Sequence, residues 1–260
     1  MDGRIEKTKS EPMTQTAFIT GAAKRLGRAI SLHLAKNDYD IIAHYRGSAD
    51  DAQALKSDVD AMGRQCHLIQ ADMSDPEAAK AAIDEALGYV PALDVLINNA
   101  SRFSYDRPED FKVEDMLIDY RTNTVSPALL SQAFAQQTQS ANPVIINLLD
   151  SKLFAMNPDY FSYTLSKYAL FAATEAMAMA FAPKTRVCGI APGVTLPSGP
   201  QNQEEFEHSQ TQNLLGRGST PAQICSAIDF ILGATAYTGQ VITIDGGETL
   251  QNRGRDVAFL

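Results

Sequence analysis

The chain has 260 residues, of which 45% are apolar, so it can bury one substantial hydrophobic core, and a single α/β domain is favoured over two. Its 22 basic and 31 acidic residues give a net charge of -9, which argues against nucleic acid as a partner. No stretch approaches the roughly 18 consecutive apolar residues of a membrane span, and the polar N-terminus does not resemble a secretory signal. We therefore predict a cytoplasmic protein without a membrane partner, with a flexible tail over residues 1–14 and one domain over residues 15–260.

Short apolar runs alternate with longer stretches of helical period along the chain. Predicted strands cover residues 17–19, 39–45, 66–70, 93–97, 144–149, 185–190 and 241–244. A first predicted helix has its apolar period at residues 26, 30 and 34, and further helices cover about residues 50–62, 75–87, 113–137, 163–181 and 223–232. This alternation predicts an α/β fold with a doubly wound parallel sheet of about seven strands and helices on both faces.

The turn after the first strand, TGAAKRLG, joins a strand directly to a helix. Gly21 allows a backbone conformation that a Cβ atom resists, and Gly27 allows close packing at the start of the helix. The free N–H groups and the dipole of that helix favour a phosphate, although an ordinary strand-to-helix turn is the alternative. Arg25 stands where the dinucleotide fingerprint has its middle glycine.

Polar segments follow the other predicted strands, and the carboxyl ends of parallel strands meet at one edge of a sheet, where ligands bind. These segments are HYRGS over residues 44–48, Asp72, NNAS over residues 98–101, Asp150, and Pro192-Gly193.

Three cysteines, Cys66, Cys188 and Cys225, are odd in number, widely spaced and without a CxxC pair. The sequence therefore favours neither a disulfide framework nor a zinc site. Buried free thiols in a reducing compartment are the simpler interpretation, and no metal is expected.

Tyr163 and Lys167 lie four residues apart in a predicted helix, so their side chains share one face. A lysine beside a phenol favours the phenolate, lowers the pKa of the phenol and makes it a usable proton donor. Such a pair also occurs by chance on many surface helices.

Taken together, these segments resemble the short-chain dehydrogenase/reductase family from about residue 16 to residue 247. The resemblance rests on Gly21 with Gly27, Asn98-Asn99-Ala100, Asn123, the YxxxK pair Tyr163 and Lys167, and Pro192-Gly193. It implies a Rossmann fold, a nicotinamide cofactor, hydride transfer and a homotetramer or dimer. It also implies that Lys167 holds the nicotinamide ribose and that Asn123 supports a water path to this lysine.

Where the sequence departs from the common pattern of this family, it resembles the pteridine reductase branch. Asp150 stands 13 residues before Tyr163, where most members have serine, and Phe103 follows NNAS. By this resemblance Phe103 stacks on a flat pterin, and Asp150 and Tyr163 transfer protons to or from the pterin. A core aromatic is the alternative for Phe103, and a helix or loop cap is the alternative for Asp150.

No acidic residue lies between Ile41 and Ala49, where an NAD-specific enzyme has a carboxylate for the ribose. His44, Arg46 and Ser48 are there instead, and Arg25 can reach from the first turn. Two guanidinium groups suit the 2′-phosphate of NADPH, so NADPH/NADP is the predicted cofactor. The full set of predicted cofactor-binding residues is Gly21, Lys24, Arg25, Leu26, Gly27, His44, Tyr45, Arg46, Ser48, Asp72, Met73, Asn99, Ala100, Ser101, Tyr163, Lys167, Pro192 and Gly193.

We therefore predict an NADPH-dependent reductase of a pterin or dihydrofolate-like ring. Its predicted catalytic residues are Asn123, Asp150, Tyr163 and Lys167, its substrate-binding residues are Phe103, Asp150 and Tyr163, and a substrate loop covers about residues 194–216. A carbonyl or 3-oxoacyl reductase is an alternative within the same class. An inactive NADP-binding sensor is the alternative of another class, although a sensor does not need the proton relay.

Overall fold

The structure is a computed structural model that describes residues 14–137, 139–198, 201–251 and 253–259. Residues 1–13 of the predicted tail lie outside the described residues. The strands are β1 (Thr16–Ile19), β2 (Asp40–Tyr45), β3 (Cys66–Gln70), β4 (Val95–Asn98), β5 (Val144–Leu148), β6 (Arg186–Pro192) and β7 (Val241–Ile244). The helices are α1 (Arg25–Lys36), α2 (Ala49–Ala61), α3 (Pro76–Tyr89), α4 (Val113–Tyr120), α5 (Ser126–Gln136), α6 (Phe161–Phe181), α7 (Gln203–Thr211) and α8 (Pro221–Gly233).

The seven strands form one parallel sheet in the order β3-β2-β1-β4-β5-β6-β7. The chain moves outward from β1 to β3 and then crosses back to β4, so the strand order reverses between β1 and β4. A crevice opens at the carboxyl ends of the strands beside such a reversal. This arrangement confirms the doubly wound, single-sheet prediction.

Apolar side chains cover both faces of the sheet. Ile19 packs with α1, α2 and α8 on one face, whereas its neighbour Phe18 packs with α3, α5 and α6 on the other. Both side chains are fully buried, because successive residues of a strand point to opposite faces and helices cover each face. None of the helices in the described ranges combines the length and apolar character that crossing a membrane requires.

The predicted continuous helix over residues 113–137 is interrupted. A π-helical turn, Arg121–Val125, separates α4 from α5, in which Pro127 lies in the first turn. Proline has no N–H to donate to the carbonyl four residues earlier, so the regular helical hydrogen-bond pattern cannot continue through this point. The turn directs Asn123 into the protein, where its side chain is fully buried.

Candidate functional site

The first turn is built for close backbone packing. Gly21 has a φ of 64°, and a Cβ atom added to Gly27 would lie 2.1 Å from the carbonyl oxygen of Gly21. A larger residue at position 27 would push the turn away from the N-terminus of α1. Arg25, at the place of the middle glycine, itself has a left-handed backbone with a φ of 53°.

The loop after β4 is held against this turn. The Asn99 side-chain amide donates hydrogen bonds to the carbonyls of Thr20 at 2.8 Å and Gly21 at 3.2 Å. The Thr20 hydroxyl in turn accepts from the backbone N–H groups of Asn99 and Ala100, each at 2.9 Å. The predicted cofactor turn and the NNAS segment therefore form one rigid edge of the site.

His44 lies beneath this edge. Its Nδ1 accepts a hydrogen bond from the Gly21 backbone N–H at 3.0 Å, and its Nε2 lies 3.0 Å from the carbonyl oxygen of Ala71. Burial lowers the pKa of His44, so the ring is neutral and supplies no positive charge. The ring joins the ends of three strands from below, and the cofactor-binding role of His44 remains a prediction.

A cavity of about 610 Å³ opens along the carboxyl edge of the sheet. The predicted site residues that line it are Gly21, Lys24, Arg25, Leu26, Gly27, Asn99, Ala100, Ser101, Phe103, Asp150, Tyr163, Lys167, Pro192 and Gly193. The structure thus brings together predicted residues from the ends of four strands, β1, β4, β5 and β6, and from α6. Chain segments separated by more than a hundred residues meet here, as the parallel topology requires.

Other predicted cofactor residues do not line this cavity. Arg46 is exposed on the loop after β2, and Ser48 precedes α2. Asp72 accepts a hydrogen bond from the backbone N–H of Ser74 at 2.8 Å, and the Met73 side chain is buried in the core. Tyr45, the last residue of β2, is half-buried. Their roles in cofactor binding remain predictions.

The centre of the cavity holds a compact group of titratable side chains. The Tyr163 hydroxyl donates a hydrogen bond to Asp150 Oδ2 at 2.7 Å. Asp150 Oδ1 also accepts from the backbone N–H of Lys152 at 2.8 Å, so this carboxylate both caps a short 3-10 turn and meets the tyrosine. Lys167 Nζ donates to the Leu148 carbonyl at 2.7 Å and lies 5.7 Å from the centre of the Tyr163 ring.

Burial governs the ionisation of this group. Burial, together with the charge and hydrogen bond of Asp150, raises the pKa of Tyr163 well above 10. Burial also raises the pKa of Asp150 and lowers that of Lys167 to about 8. The prediction that Lys167 lowers the pKa of Tyr163 is therefore wrong, because the hydrogen-bond partner of the hydroxyl is the Asp150 carboxylate. The tyrosine remains protonated at neutral pH.

Asn123 connects α6 to the loop after β4. Its Oδ1 accepts from the Ser101 hydroxyl and the Arg102 N–H at 3.1 and 2.8 Å, and its Nδ2 donates to Ser166 Oγ at 2.9 Å and to the Arg102 carbonyl at 3.0 Å. The side chain positions these elements and does not itself line the cavity. The water path that the resemblance implies remains a prediction.

Phe103 is not a core aromatic, since it is 42% exposed and lines the cavity. Its ring stacks on Tyr160 with a centroid distance of 4.1 Å and meets the edge of Tyr163 at 4.6 Å. Tyr160 itself has a left-handed backbone with a φ of 55°, at the residue before α6. No local sequence pattern pointed to Tyr160, because the contact depends on how α6 packs against the loop after β4.

A further wall of the cavity comes from the C-terminal strap, which we define as residues 253–259. Asp256, Val257 and Ala258 line the cavity. Glu248, which comes before the strap in the sequence, also lines it. The strap is held by Asp159, a carboxylate that the sequence analysis did not single out. These residues show no helical or strand period, so sequence reasoning had no signal for them.

Asp159 is fully buried, and its carboxylate accepts four hydrogen bonds within the described residues. Its donors are Arg107 Nη1 at 2.9 Å, the Tyr105 hydroxyl at 3.2 Å, Arg255 Nε at 2.7 Å and the Asp256 backbone N–H at 2.9 Å. Lys152 adds an ion pair to Asp256 at 3.1 Å. The strap is thereby fastened to the loop between β5 and α6.

Comparison with known proteins agrees with this geometry. A family model described as enoyl-(acyl carrier protein) reductase matches residues 21–249. The chain is 30% identical over 242 residues to the 3-oxoacyl-(acyl-carrier-protein) reductase FabG of Staphylococcus aureus, covering 90% of this chain and 98% of that protein. It is 28% identical over 287 residues to pteridine reductase 1 of Leishmania tarentolae, covering 93% and 98%.

A solved structure is similar over nearly the same length. FolM alternative dihydrofolate reductase 1 from Brucella suis, crystallised in complex with NADP, superposes with a TM-score of 0.87 at 29% identity, covering 92% of this chain and 96% of that one. The family match spans most of the chain and includes most of the residues that line the cavity, among them the Tyr163–Lys167 pair. The chain therefore belongs to the short-chain dehydrogenase/reductase family of oxidoreductases.

Proposed function

We propose that this protein is an NADPH-dependent reductase of a pterin or dihydrofolate-like ring. The observation that carries the proposal is the hydrogen bond from Tyr163 to the Asp150 carboxylate inside the cavity. A serine at position 150 could contact the substrate only through its one hydroxyl group. A carboxyl group can also pair with the N–H edge of a heterocycle or pass a proton to it.

The turn before α1 fits a dinucleotide phosphate. Its backbone approaches closely at Gly27, and helix N-terminal N–H groups favour an anion. Arg25, the first residue of α1, and Arg46, on the loop after β2, are both exposed, and β2 has no carboxylate after its first residue, Asp40. The similar FolM protein was crystallised with NADP. We assign NADPH on these grounds, and when bound it supplies the hydride.

Side chains of this protein then supply the proton that the reduction requires. Tyr163 stays protonated at neutral pH and can donate its hydroxyl proton to the substrate atom that gains negative charge. Asp150, already hydrogen-bonded to that hydroxyl, is placed to return a proton or to hold a ring N–H. Lys167 is close enough to stabilise negative charge on the phenolate oxygen.

Residues 194–216 are the proposed substrate loop. Val194, Leu196, Ser198 and Ser209 line the cavity from this segment, of which residues 199 and 200 lie outside the described residues. We also propose a homotetramer or dimer in the cytoplasm, as the family resemblance implies.

A reductase of 3-oxoacyl thioesters or other carbonyls is the second candidate. It is favoured by the 30% identity to the Staphylococcus aureus 3-oxoacyl-(acyl-carrier-protein) reductase, slightly above the identity to pteridine reductase 1. The Tyr163 and Lys167 pair serves either substrate equally well. Asp150 is the group that separates the two candidates, since a ketone oxygen offers it no hydrogen-bond donor.

Asp150→Ser decides between them. We expect the variant to lose about ten- to a hundredfold in kcat/KM for dihydropterin or dihydrofolate, because a charge-assisted hydrogen bond contributes about 1.5 to 3 kcal/mol. Reduction of an activated diketone should change by less than about threefold. Oxidation of NADPH is followed at equal enzyme concentration with pterin, folate, quinone and oxoacyl substrates side by side.

Asp84→Asn, on the exposed face of α3, serves as the control. Equal losses on the ring and ketone substrates would reduce Asp150 to a structural cap and favour the carbonyl reductase. A wild-type enzyme that oxidises NADPH with none of these substrates would instead favour the sensor.

A further inference from the structure

The C-terminal region brings a further carboxyl group, that of Glu248, to one end of the cavity. Glu248 follows the Gly246-Gly247 turn after β7 and lines the cavity. Its Oε2 atom would lie 3.3 Å from a Cβ atom placed on Gly193, so the carboxyl group is next to the turn after β6. Asp150 borders the same cavity at the end of β5.

Within the described residues, the Glu248 carboxyl group makes no hydrogen bond or ion pair. The nearby ammonium of Lys152 is engaged by Asp256 at 3.1 Å and by the Asp159 carbonyl at 2.5 Å. Arg253 is hydrogen-bonded to Gln251. The cations of this region therefore already have partners, whereas the Glu248 carboxyl group faces the cavity without one.

Charged groups around Glu248 are mainly acidic. The charges of Asp150 after β5, Asp245 after β7 and Asp256 on the strap act on it, and Arg253 is the opposing cation. Burial, followed by these carboxylates, raises the pKa of Glu248 to about 7. A ligand that brings N–H donors or positive charge to this end would relieve the repulsion, and an anionic group would increase it.

We propose that Glu248 is a specificity-determining residue that accepts a hydrogen bond from a nitrogen donor of the substrate. With Asp150 it makes this end of the cavity selective for planar rings with amidine-type N–H edges and unfavourable to substrates with a carboxylate there. The inference rests on the proposed reductase function for its substrate, but it concerns a different residue and a different contact from the proton donor.

A binding experiment tests Glu248 apart from turnover. The probe is benzamidinium, a planar amidinium cation, and its uncharged counterpart is benzamide, each titrated into the NADP⁺-loaded protein by calorimetry. We expect Glu248→Gln to weaken benzamidinium binding about tenfold at pH 8 and to leave benzamide within about twofold. Glu114→Gln, an exposed glutamate of α4, should leave both affinities at the wild-type values.

The pH dependence provides a second measurement that needs no variant. Because the Glu248 carboxyl group ionises near its pKa of about 7, benzamidinium should bind the wild-type protein more tightly as the pH rises from about 6 to 8. The same titration of Glu248→Gln should lose most of this increase. With dihydropterin, the variant should raise KM about tenfold and keep kcat within about threefold.

Unchanged benzamidinium affinity in Glu248→Gln at pH 8 overturns the inference. A matching loss of NADP⁺ affinity overturns it as well, since Glu248 would then belong to the cofactor site. Failure of the wild-type enzyme to reduce any pterin would instead remove the proposed function, and the benzamidinium titrations would still decide the role of Glu248.

Discussion

At the scale of single residues, the site depends on a tyrosine that burial keeps protonated. The Tyr163 hydroxyl is hydrogen-bonded to Asp150, and burial with this carboxylate raises its pKa. In the proposed reaction, a phenol in this state donates its proton and does not act as a base. Lys167, whose pKa burial lowers to about 8, lies behind it and can respond as negative charge develops.

Replacing Tyr163 by Phe removes this donor and keeps the ring that meets Phe103. We expect turnover on the best substrate to fall about a hundredfold or more, since a positioned general acid contributes about 10² to 10⁴ in rate. The affinity for NADPH, measured by fluorescence titration, should change little. Tyr89→Phe, on an exposed position of α3, is the control. Near wild-type turnover in Tyr163→Phe would show that another group supplies the proton.

At the scale of elements, the loops after β1, β2 and β4 form one edge of the site. Asn99 and Thr20 hold two of these loops together, and the His44 ring supports them from below. Because this support uses the His44 side chain, we propose that Arg25 and Arg46 supply the positive charge for a 2′-phosphate. Arg25 begins α1 after the turn that follows β1, Arg46 lies on the loop after β2, and both are exposed.

The preference of the enzyme for NADPH over NADH tests the proposed roles of Arg25 and Arg46. Replacing Arg25 by Gly and Arg46 by Asp should raise the KM for NADPH about a hundredfold or more and leave that for NADH little changed, if each arginine–phosphate contact contributes about 1.5 to 3 kcal/mol. Steady-state kinetics with both cofactors measure this. Arg64→Asp, at the amino end of β3, should have no such effect. A wild-type enzyme that already uses NADH as well as NADPH would contradict the assignment.

At the scale of the whole molecule, the C-terminal strap completes the cavity. The Asp159 carboxylate binds Tyr105 and Arg107, which lie after β4, and Arg255, which lies on the strap. Burial alone would raise the pKa of Asp159, but the hydrogen bonds from Arg255 and Asp256 lower it overall. A carboxylate with a lowered pKa in the folded state stabilises the fold above its unfolded pKa of about 3.9 and loses this effect as the pH falls.

Asp159→Asn should therefore loosen the strap. Because Arg107 and Arg255 are partly exposed and water screens their charges, we expect a loss of about 1 kcal/mol at pH 7, or about 3 °C in Tm by calorimetry. The KM of the best substrate should rise with kcat little changed, and the difference in Tm should shrink below about pH 4. Asp84→Asn is again the control. A Tm difference that stays constant down to low pH would argue against a charged Asp159.

Local patterns in the sequence were sufficient for much of the fold. The apolar run ending at Ile19, the turn glycines Gly21 and Gly27, and the spacing of Tyr163 and Lys167 each depend on neighbours within a few residues. Strand, turn and helix periods have short range, so the parallel sheet and its carboxyl edge followed from them. Asp150 was found because it follows a predicted strand and because, by the family resemblance, it stands where most members have serine, 13 residues before Tyr163.

Only the tertiary structure decided how the side chains at that edge are used. Whether His44 faces a phosphate or the Gly21 backbone, and whether Tyr163 meets Lys167 or Asp150, depends on atoms far apart in the sequence. The same holds for Glu248 and for the strap on Asp159. Burial and long-range hydrogen bonds set these contacts and pKa values, and both arise only when distant segments pack together.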